Sequence, residues 1–287
     1  MNEGNSLINL GELSKPATVL IEKIAEATGG IFRPFQIRRV AQAEADAEII
    51  KASAKIGVAD LERRALHRFI HEEAKKQHNI ESITQKALPA IEEKAQPEKI
   101  EDDWITNFFD KCRLISDEQM QILWSKVLAG EANAPGKFSK RTVNLLSSLD
   151  KTDAELFRTV CSFIWYLDGE PFPLIYGVLH GTSDFYIKAG LNHQRLRHLE
   201  TISLIGYEAN MNMIGKSNLP EFIELTDRYS KIEIKFPNKE NNILDVGLVR
   251  LTQPGKEMAL LIDYKPHEGF KEFLLHRWRN TYQVKEK

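Results

Sequence analysis

The side chains best suited to contact nucleic acid are concentrated between Leu191 and Ile205. Hydrophobic residues recur there at helical spacing and are expected to face inward: Leu191, Leu196, Leu199 and Ile202. Basic or amide side chains occupy positions that would project outward: His193, Gln194, Arg195, Arg197 and His198. Arginine and glutamine can hydrogen-bond to base edges. The segment predicts a helix that contacts nucleic acid, although Glu200 on the same helix and a net charge of -2 favour docking of a partner protein.

A second candidate is an anion site at Lys140 and Arg141. Both follow Ser139, which is predicted to cap a helix, and free N–H groups at a helix start can bind an anion. A purely structural role for this cap is the favoured interpretation.

A third candidate is a membrane surface contact within residues 16–40. An amphipathic helix and a Gly-Gly break are followed by Phe32, Arg33, Phe35, Arg38 and Arg39. This combination is typical of an interfacial anchor. The alternative is a bundle helix whose arginines face water.

Catalytic and metal-binding patterns are weak in this sequence. His67 and His71 are four residues apart, which puts both imidazoles on one helix face, as in helical metal sites. The order is not His-Glu-x-x-His and no third ligand is evident, so a solvated face and no metal are predicted. Gly136-Lys137 lacks the remainder of a P-loop, and no Gly-x-Ser-x-Gly elbow occurs. We therefore expect no catalytic residues, no cofactor and no small-molecule substrate.

The elements that must position these residues begin with a helical hairpin at Leu114–Leu149. Ser116 has the position of a capping-box residue, with Gln119 three residues later. Ala129-Gly130 is expected to end the first helix, and Pro135-Gly136 forms the turn. The acidic residues of this segment are interpreted as structural: Asp117, Glu118 and Glu131.

The predicted fold is mainly α. Long N-terminal helices (1–100) lead into a central helical hairpin core (101–150), and a smaller α+β winged-helix-like domain follows (151–287). In the N-terminal region an apolar stripe continues through Leu61, Ala65, Leu66, Phe69, Ile70 and Ala74. Helices this long usually need a partner, within the chain or in another subunit. A homo-oligomer or a complex with a partner protein is therefore expected.

Composition places the chain among ordinary soluble proteins. It has 287 residues, of which 42% are hydrophobic, and no uncharged apolar run approaches the roughly 20 residues of a membrane span. The start has no basic region followed by an apolar region, so no signal peptide is expected. Cys112 and Cys161 are expected to be reduced and buried. The predicted location is the cytoplasm, with a peripheral position at the inner membrane as an extension of the membrane hypothesis.

The hairpin also carries a family resemblance. The segment LISDEQMQILWSKVLAGEANAPGKFSKRTVNLLSSLDKTDAELF resembles an uncharacterised family of bacterial proteins with an ISDEEMQ–LWAKLLAGE–PG–FS–RT core. That family is similar in turn to the abortive-infection alpha group of phage-defence proteins. The match is good from Trp104 to Phe157 and loose in the C-terminal third. The resemblance implies a setting, bacterial defence against phage, and no catalytic residues.

The sequence therefore suggests one main function and two alternatives. The first is a non-enzymatic anti-phage defence protein that self-associates through its helices and senses or docks a phage or host component. The second is a nucleic-acid-binding regulator acting through the helix at His193. The third is a membrane-disrupting effector acting through the N-terminal amphipathic helix.

Overall fold

Amphipathic segments in the first half of the chain fold as helices. The computed structural model describes residues 13–29, 60–177, 184–209, 213–279 and 281–286. The chain divides into two compact units, Met1–Ser147 and Ser148–Lys287. The helices described in the first unit are α1 (Lys15–Thr28), α2 (Asp60–Ala87), α3 (Asp102–Cys112), α4 (Glu118–Asn133) and α5 (Lys140–Ser147), with single 3-10 turns at Leu88–Ala90 and Pro97–Lys99.

Aromatic side chains of α3 and α4 form the centre of the first unit. The side chains on one face of α3 are all buried: Trp104, Ile105, Phe108, Phe109 and Cys112. The Phe108 ring stacks on Trp104 and meets Trp124 edge-on, with both pairs of ring centroids 5.1 Å apart. Trp104 Nε1 donates to the carbonyl oxygen of Phe138 at 2.6 Å, so the α4–α5 connection is tied to α3.

The α4–α5 hairpin is present, but its caps differ from the prediction. Asp117, not Ser116, caps α4, because its side chain accepts from the Met120 backbone N–H at 3.0 Å. The Ser116 hydroxyl instead accepts from Asn79 Nδ2. Ser139 caps α5 as predicted, accepting from the Thr142 backbone N–H at 3.3 Å.

The predicted end of α4 at Gly130 is also wrong, since the helix continues to Asn133. Glycine is needed at position 130 for space: a Cβ there would lie 2.6 Å from the Phe138 ring. The turn itself uses Gly136, at φ +86°. Glu131, buried within α4, accepts from the backbone N–H groups of Gly136 at 2.6 Å and Phe138 at 2.8 Å. Its predicted structural role is consistent with these bonds.

A buried polar network joins α2 to α4. Gln121 Nε2 donates to the carbonyl of Ile115 and to Asn79 Oδ1, and Gln121 Oε1 accepts from Ser82 and Lys86. Asn79 also donates to the Arg113 carbonyl at 2.8 Å. Buried polar groups satisfied in this way specify one packing of two helices. The network fixes the C-terminal half of α2 against the hairpin.

The second unit is a mixed α+β structure. Its helices are α6 (Lys151–Cys161), α7 (Asp184–Lys188), α8 (His193–Thr201), α9 (Gln253–Ala259) and α10 (Phe270–Arg279). Its strands are β1 (Ile164–Leu167), β2 (Glu170–Pro173), β3 (Ile205–Tyr207), β4 (Gly215–Leu219), β5 (Phe222–Thr226), β6 (Lys231–Lys235), β7 (Asn242–Asp245), β8 (Val249–Leu251) and β9 (Gln283–Glu286). An antiparallel sheet has the order β2-β1-β5-β6-β9, and β3–β8 and β4–β7 form separate two-stranded ladders.

The transition from helix to sheet is abrupt. Helix α6 ends at Cys161 and β1 begins at Ile164. Asp168 and Gly169 both have positive φ, 52° and 78°, which closes a two-residue hairpin between β1 and β2. A short apolar run such as Ile164–Leu167 is compatible with a helix or a strand. Here the hairpin turn pairs it with β2, so it forms a strand.

Candidate functional site

The predicted contact helix is α8, and its ends are well defined. Asn192 caps it by accepting from the Arg195 backbone N–H at 2.9 Å. Leu191, Leu196 and Leu199 are fully buried, as their spacing predicted, whereas Ile202, also predicted to face inward, is half-buried. The outward positions at His193, Gln194, Arg195 and His198 are exposed, and Arg197 is half-buried. The sequence therefore identified the correct face of this helix.

Most of the outward side chains of α8 are already bonded within the second unit. Arg195 Nη1 donates to the Gly190 carbonyl at 2.7 Å. His198 Nε2 lies 2.6 Å from Asp153 Oδ1, and Asp153 also accepts from the Asp150 backbone N–H at the start of α6. Gln194 contacts no polar group among the described residues. A nucleic acid would have to compete with these internal partners.

Arg197 belongs to a cluster that joins α8 to β3. Its guanidinium donates to Glu200 Oε2 at 2.6 Å and lies 5.3 Å from the centre of the Tyr207 ring. Glu200 Oε1 accepts from the Tyr207 backbone N–H at 3.0 Å, and the Tyr207 hydroxyl lies 3.1 Å from His193 Nδ1. The Arg197 guanidinium is therefore already paired with the Glu200 carboxylate, and the cluster holds α8 against β3.

The packing of this cluster shifts the pKa values of Glu200 and Tyr207. Burial disfavours the charged form of Glu200, but the Tyr207 backbone N–H and Arg197 outweigh it and lower the pKa of this carboxyl group. Burial raises the pKa of Tyr207, and the Glu200 charge adds to the effect while Arg197 opposes it. Glu200 therefore remains a permanent anion beside Arg197 at neutral pH, which weakens the attraction of the α8 face for phosphate.

The other predicted sites are less organised. Lys140 Nζ lies 3.3 Å from Asp103, so an anion at α5 would have to displace this ion pair, while Arg141 is exposed. The membrane candidates lie outside the described residues: Phe32, Arg33, Phe35, Arg38 and Arg39. None of the described helices combines the length and the apolar composition needed to cross a bilayer.

Three large apolar side chains of α2 form an exposed stripe in the described part of the first unit. Leu61 is 69% exposed, Leu66 46% and Phe69 59%. Residues eighteen positions apart lie on the same face of a helix, because eighteen residues make five turns of about 3.6 residues. The residues eighteen positions after these three are buried: Asn79, Thr84 and Ala87. The core-facing stripe of α2 therefore continues into solvent, and the periodic apolar residues of the sequence were the signal for it.

The remaining sequence candidate, the pair His67 and His71, lies on the other side of α2. Both side chains are exposed, and their Nε2 atoms are 3.0 Å apart. Among the residues that the structure describes, no group of three or more histidine, cysteine or acidic side chains is arranged to hold a metal ion. The spacing predicted a shared face, while the convergence of the two nitrogen atoms is visible only in the structure.

Comparison with known proteins gives a family without an assigned function. Residues 63–275 match the model of a family described as protein of unknown function (DUF2806), which covers most of both units. No curated protein and no solved structure matches the chain.

Proposed function

The chain belongs to the DUF2806 family of unknown function, and we propose that it is a non-enzymatic anti-phage defence protein that self-associates through α2. The defence setting is supported by the resemblance of Leu114–Phe157 to an uncharacterised bacterial family that is similar in turn to the abortive-infection alpha group. Self-association is supported by one observation, the continuation of the buried stripe of α2 into the exposed residues Leu61, Leu66 and Phe69.

The exposed side chains of the stripe are large enough for their burial to favour association. Full burial of a leucine or phenylalanine side chain contributes about 1.5–3 kcal/mol. Exposed apolar side chains that form a continuous strip mark interaction sites more often than single ones do. Association also loses translational and rotational freedom, so the stripe supports a moderate affinity rather than a permanent complex.

We propose that a second copy of the same helix covers the stripe. Twofold homodimers are the commonest soluble oligomers, and each copy in such a pair presents the same surface to the other. If Leu66 of one copy packs opposite Phe69 of the other in an antiparallel pair, the two stripes cover each other.

A paired substitution tests the association. Leu66→Glu with Phe69→Glu would bury two charges in the proposed interface, and we expect dimerisation to weaken at least about a hundredfold. Sedimentation equilibrium over a range of protein concentrations measures this effect, and circular dichroism checks that the helices remain. Leu114→Glu is the matched control, because Leu114 is 65% exposed in the same unit but lies outside α2.

Two results would contradict the association. One is a wild-type chain that stays monomeric up to about 100 μM, well above the dissociation constants of functional complexes; another segment of this chain would then be the better candidate for covering the stripe. The other is an equal loss of dimer with Leu114→Glu, which would show that α2 is not the interface.

The defence role needs a separate test in cells. Bacteria that carry the gene should give fewer plaques than bacteria that lack it, and the Leu66→Glu, Phe69→Glu variant should lose this protection while Leu114→Glu retains it. Equal plaque counts across a broad phage panel would contradict the defence role. That outcome would leave the oligomeric state, measured independently, unaffected.

Nucleic-acid binding through α8 is the second candidate function. The order of α6, α7, α8, β3 and β8, with β3 paired to β8, supports a winged-helix-like arrangement in which α8 would enter the major groove. Within α8, Gln194 and Arg195 face outward near the helix start, and the Arg195 side chain would exchange its bond to the Gly190 carbonyl for a contact with nucleic acid. Docking of a protein on this face is the alternative.

Gel shifts at increasing salt distinguish these two uses of α8. Arg195→Ala and Arg197→Ala should each reduce the slope of log affinity against log salt by about 0.9 if both side chains contact phosphate. Arg279→Ala, which removes an exposed arginine of α10 in the same unit, serves as the control. Binding that is absent, or insensitive to salt and to both α8 variants, would remove nucleic acid as a partner.

Membrane disruption is the third proposal, and it rests on the sequence of residues 16–40 alone. Liposome flotation with anionic vesicles tests it. Flotation should be lost when Arg33, Arg38 and Arg39 are replaced by glutamine, because interfacial helices bind anionic lipid through basic side chains. A wild-type chain that stays at the bottom of the gradient would contradict the proposal and the peripheral location.

A further inference from the structure

The exposed side of α2 carries two imidazoles that converge on one point. His67 Nε2 and His71 Nε2 are 3.0 Å apart, and their ring centroids are 4.2 Å apart at an interplanar angle of 54°. Both side chains are exposed, so an ion from solvent can reach the nitrogens without any change in the helix. We propose that His67 and His71 chelate one divalent transition-metal ion, with Cu²⁺ or Ni²⁺ preferred over Zn²⁺.

The distance between the nitrogens supports this choice of metal. An ion about 2.05 Å from each nitrogen, with the nitrogens 3.0 Å apart, has an N–metal–N angle of roughly 94°. Square-planar and octahedral ions need about 90° between adjacent ligands, whereas a tetrahedral Zn²⁺ needs about 109° and would require the nitrogens to separate to roughly 3.3 Å. The geometry therefore fits Cu²⁺ and Ni²⁺, which also bind nitrogen ligands strongly.

The charges around the pair do not exclude a cation. Arg64 lies one turn before His67 but pairs with Asp60 Oδ2 at 3.1 Å, and Arg68 pairs with Glu72 at 3.6 Å. Arg68 is therefore paired with its own carboxylate, and Arg64 shares Asp60 with Arg63. In the metal-free protein one Nε2–H donates to the other nitrogen. When the ion binds, the donor ring carries its proton on Nδ1 instead, so both Nε2 lone pairs point at the ion.

Two protein ligands leave the other coordination positions of the ion open. Water would fill them in the isolated chain, and a donor group from another molecule could replace that water. The pair lies about 160° around the helix from Phe69, so the proposed metal site and the proposed dimer interface use opposite sides of α2. Each can therefore be tested without disturbing the other.

Calorimetric titration of the full chain with CuCl₂, NiCl₂ and ZnCl₂ tests the proposal. We expect one ion per chain, with Cu²⁺ bound most tightly and Zn²⁺ least. His67→Ala and His71→Ala should each weaken Cu²⁺ binding at least about tenfold, because the remaining imidazole has lost its intramolecular partner. His78→Ala is the matched control, since His78 is an exposed histidine of the same helix, and it should change affinity less than about twofold.

Electron paramagnetic resonance of the Cu²⁺ complex provides an independent readout. Coupling to two imidazole nitrogens should be present in the wild type and in Leu66→Glu, Phe69→Glu, and should be reduced to one nitrogen in His67→Ala. Equal affinities in the wild type and all three histidine variants would overturn the proposal. Tighter binding of Zn²⁺ than of Cu²⁺ would overturn its geometric basis.

Discussion

The α4–α5 hairpin and the N-terminal half of α2 use their side chains in opposite ways. In the hairpin, the groups that look chemically versatile are occupied by the fold: Glu131 holds the turn, Asp117 caps α4, and Gln121 bridges to α2. In the first half of α2, apolar and imidazole side chains are left exposed to solvent. The family resemblance is strongest where the side chains are structural, so the exposed surface of α2 is the better candidate for a function.

The largest expected effect is at Glu131. Glu131→Ala removes two hydrogen bonds to a buried carboxyl group, each worth about 1.5–3 kcal/mol, so the free energy of unfolding should fall by about 4 kcal/mol. Urea denaturation followed by circular dichroism measures it. Glu118→Ala on the same helix is exposed and should change stability by less than about 0.5 kcal/mol. Equal effects would mean that the turn does not depend on Glu131.

The two halves of α2 should differ next most strongly. Ile83 is fully buried, and Ile83→Ala should lower the free energy of unfolding by about 3 kcal/mol through lost burial and a residual cavity. Phe69→Ala, measured below the concentration at which the chain associates, should cost less than about 0.5 kcal/mol. A large loss at Phe69 in the monomer would show that part of the same chain covers it.

The cap of α4 gives a smaller effect. Asp117→Ala should destabilise the chain by about 1 kcal/mol, because the Met120 N–H loses its acceptor. Ser116→Ala should cost less than half of that, since the Ser116 hydroxyl accepts one long bond, 3.3 Å, from Asn79. A reversed order in thermal unfolding would restore Ser116 as the cap that the sequence indicated.

The smallest effect is expected at a surface ion cluster of the second unit. Lys216 and Lys256 both donate to Glu170 and lower the pKa of its carboxyl group, Lys216 most. A lowered pKa stabilises the folded state above the ordinary pKa of glutamate, about 4.3, and that contribution disappears as the pH falls through the folded value. Glu170→Gln should therefore cost about 0.5 kcal/mol at pH 7, since exposed pairs are screened.

The check is a pair of unfolding curves for the wild type and Glu170→Gln at pH 7 and at pH 3. The stability difference should shrink at the lower pH and also in 1 M salt at pH 7, where the ion pairs are screened. A difference that is constant across pH would mean that the cluster acts through packing rather than charge.

Several errors of sequence interpretation share one cause, which is competition from distant groups. Ser116 and Asp117 are adjacent residues that can both cap a helix, and Asn79, 37 positions away from Ser116, engages the serine. Gly130 resembles a helix terminus, but the Phe138 ring requires the missing Cβ within the helix. The last strand, β9, pairs with β6 despite a charged sequence that gave no strand signal. The local sequence pattern therefore predicts that a helix is present, whereas contacts with residues distant in the sequence determine where the helix begins and ends.

By itself, the sequence determined the helices and their buried faces, because apolar periodicity reports which side of an element must leave water. It placed Leu191, Leu196 and Leu199 of the α8 segment correctly in the core. Only the tertiary structure decided which outward groups remain available. Arg197 and His198 are bonded to carboxylates, whereas the stripe at Phe69 is left exposed and the imidazoles of His67 and His71 contact each other on an exposed face. The reason is physical: availability depends on partners brought together by folding, and sequence spacing along one helix does not contain them.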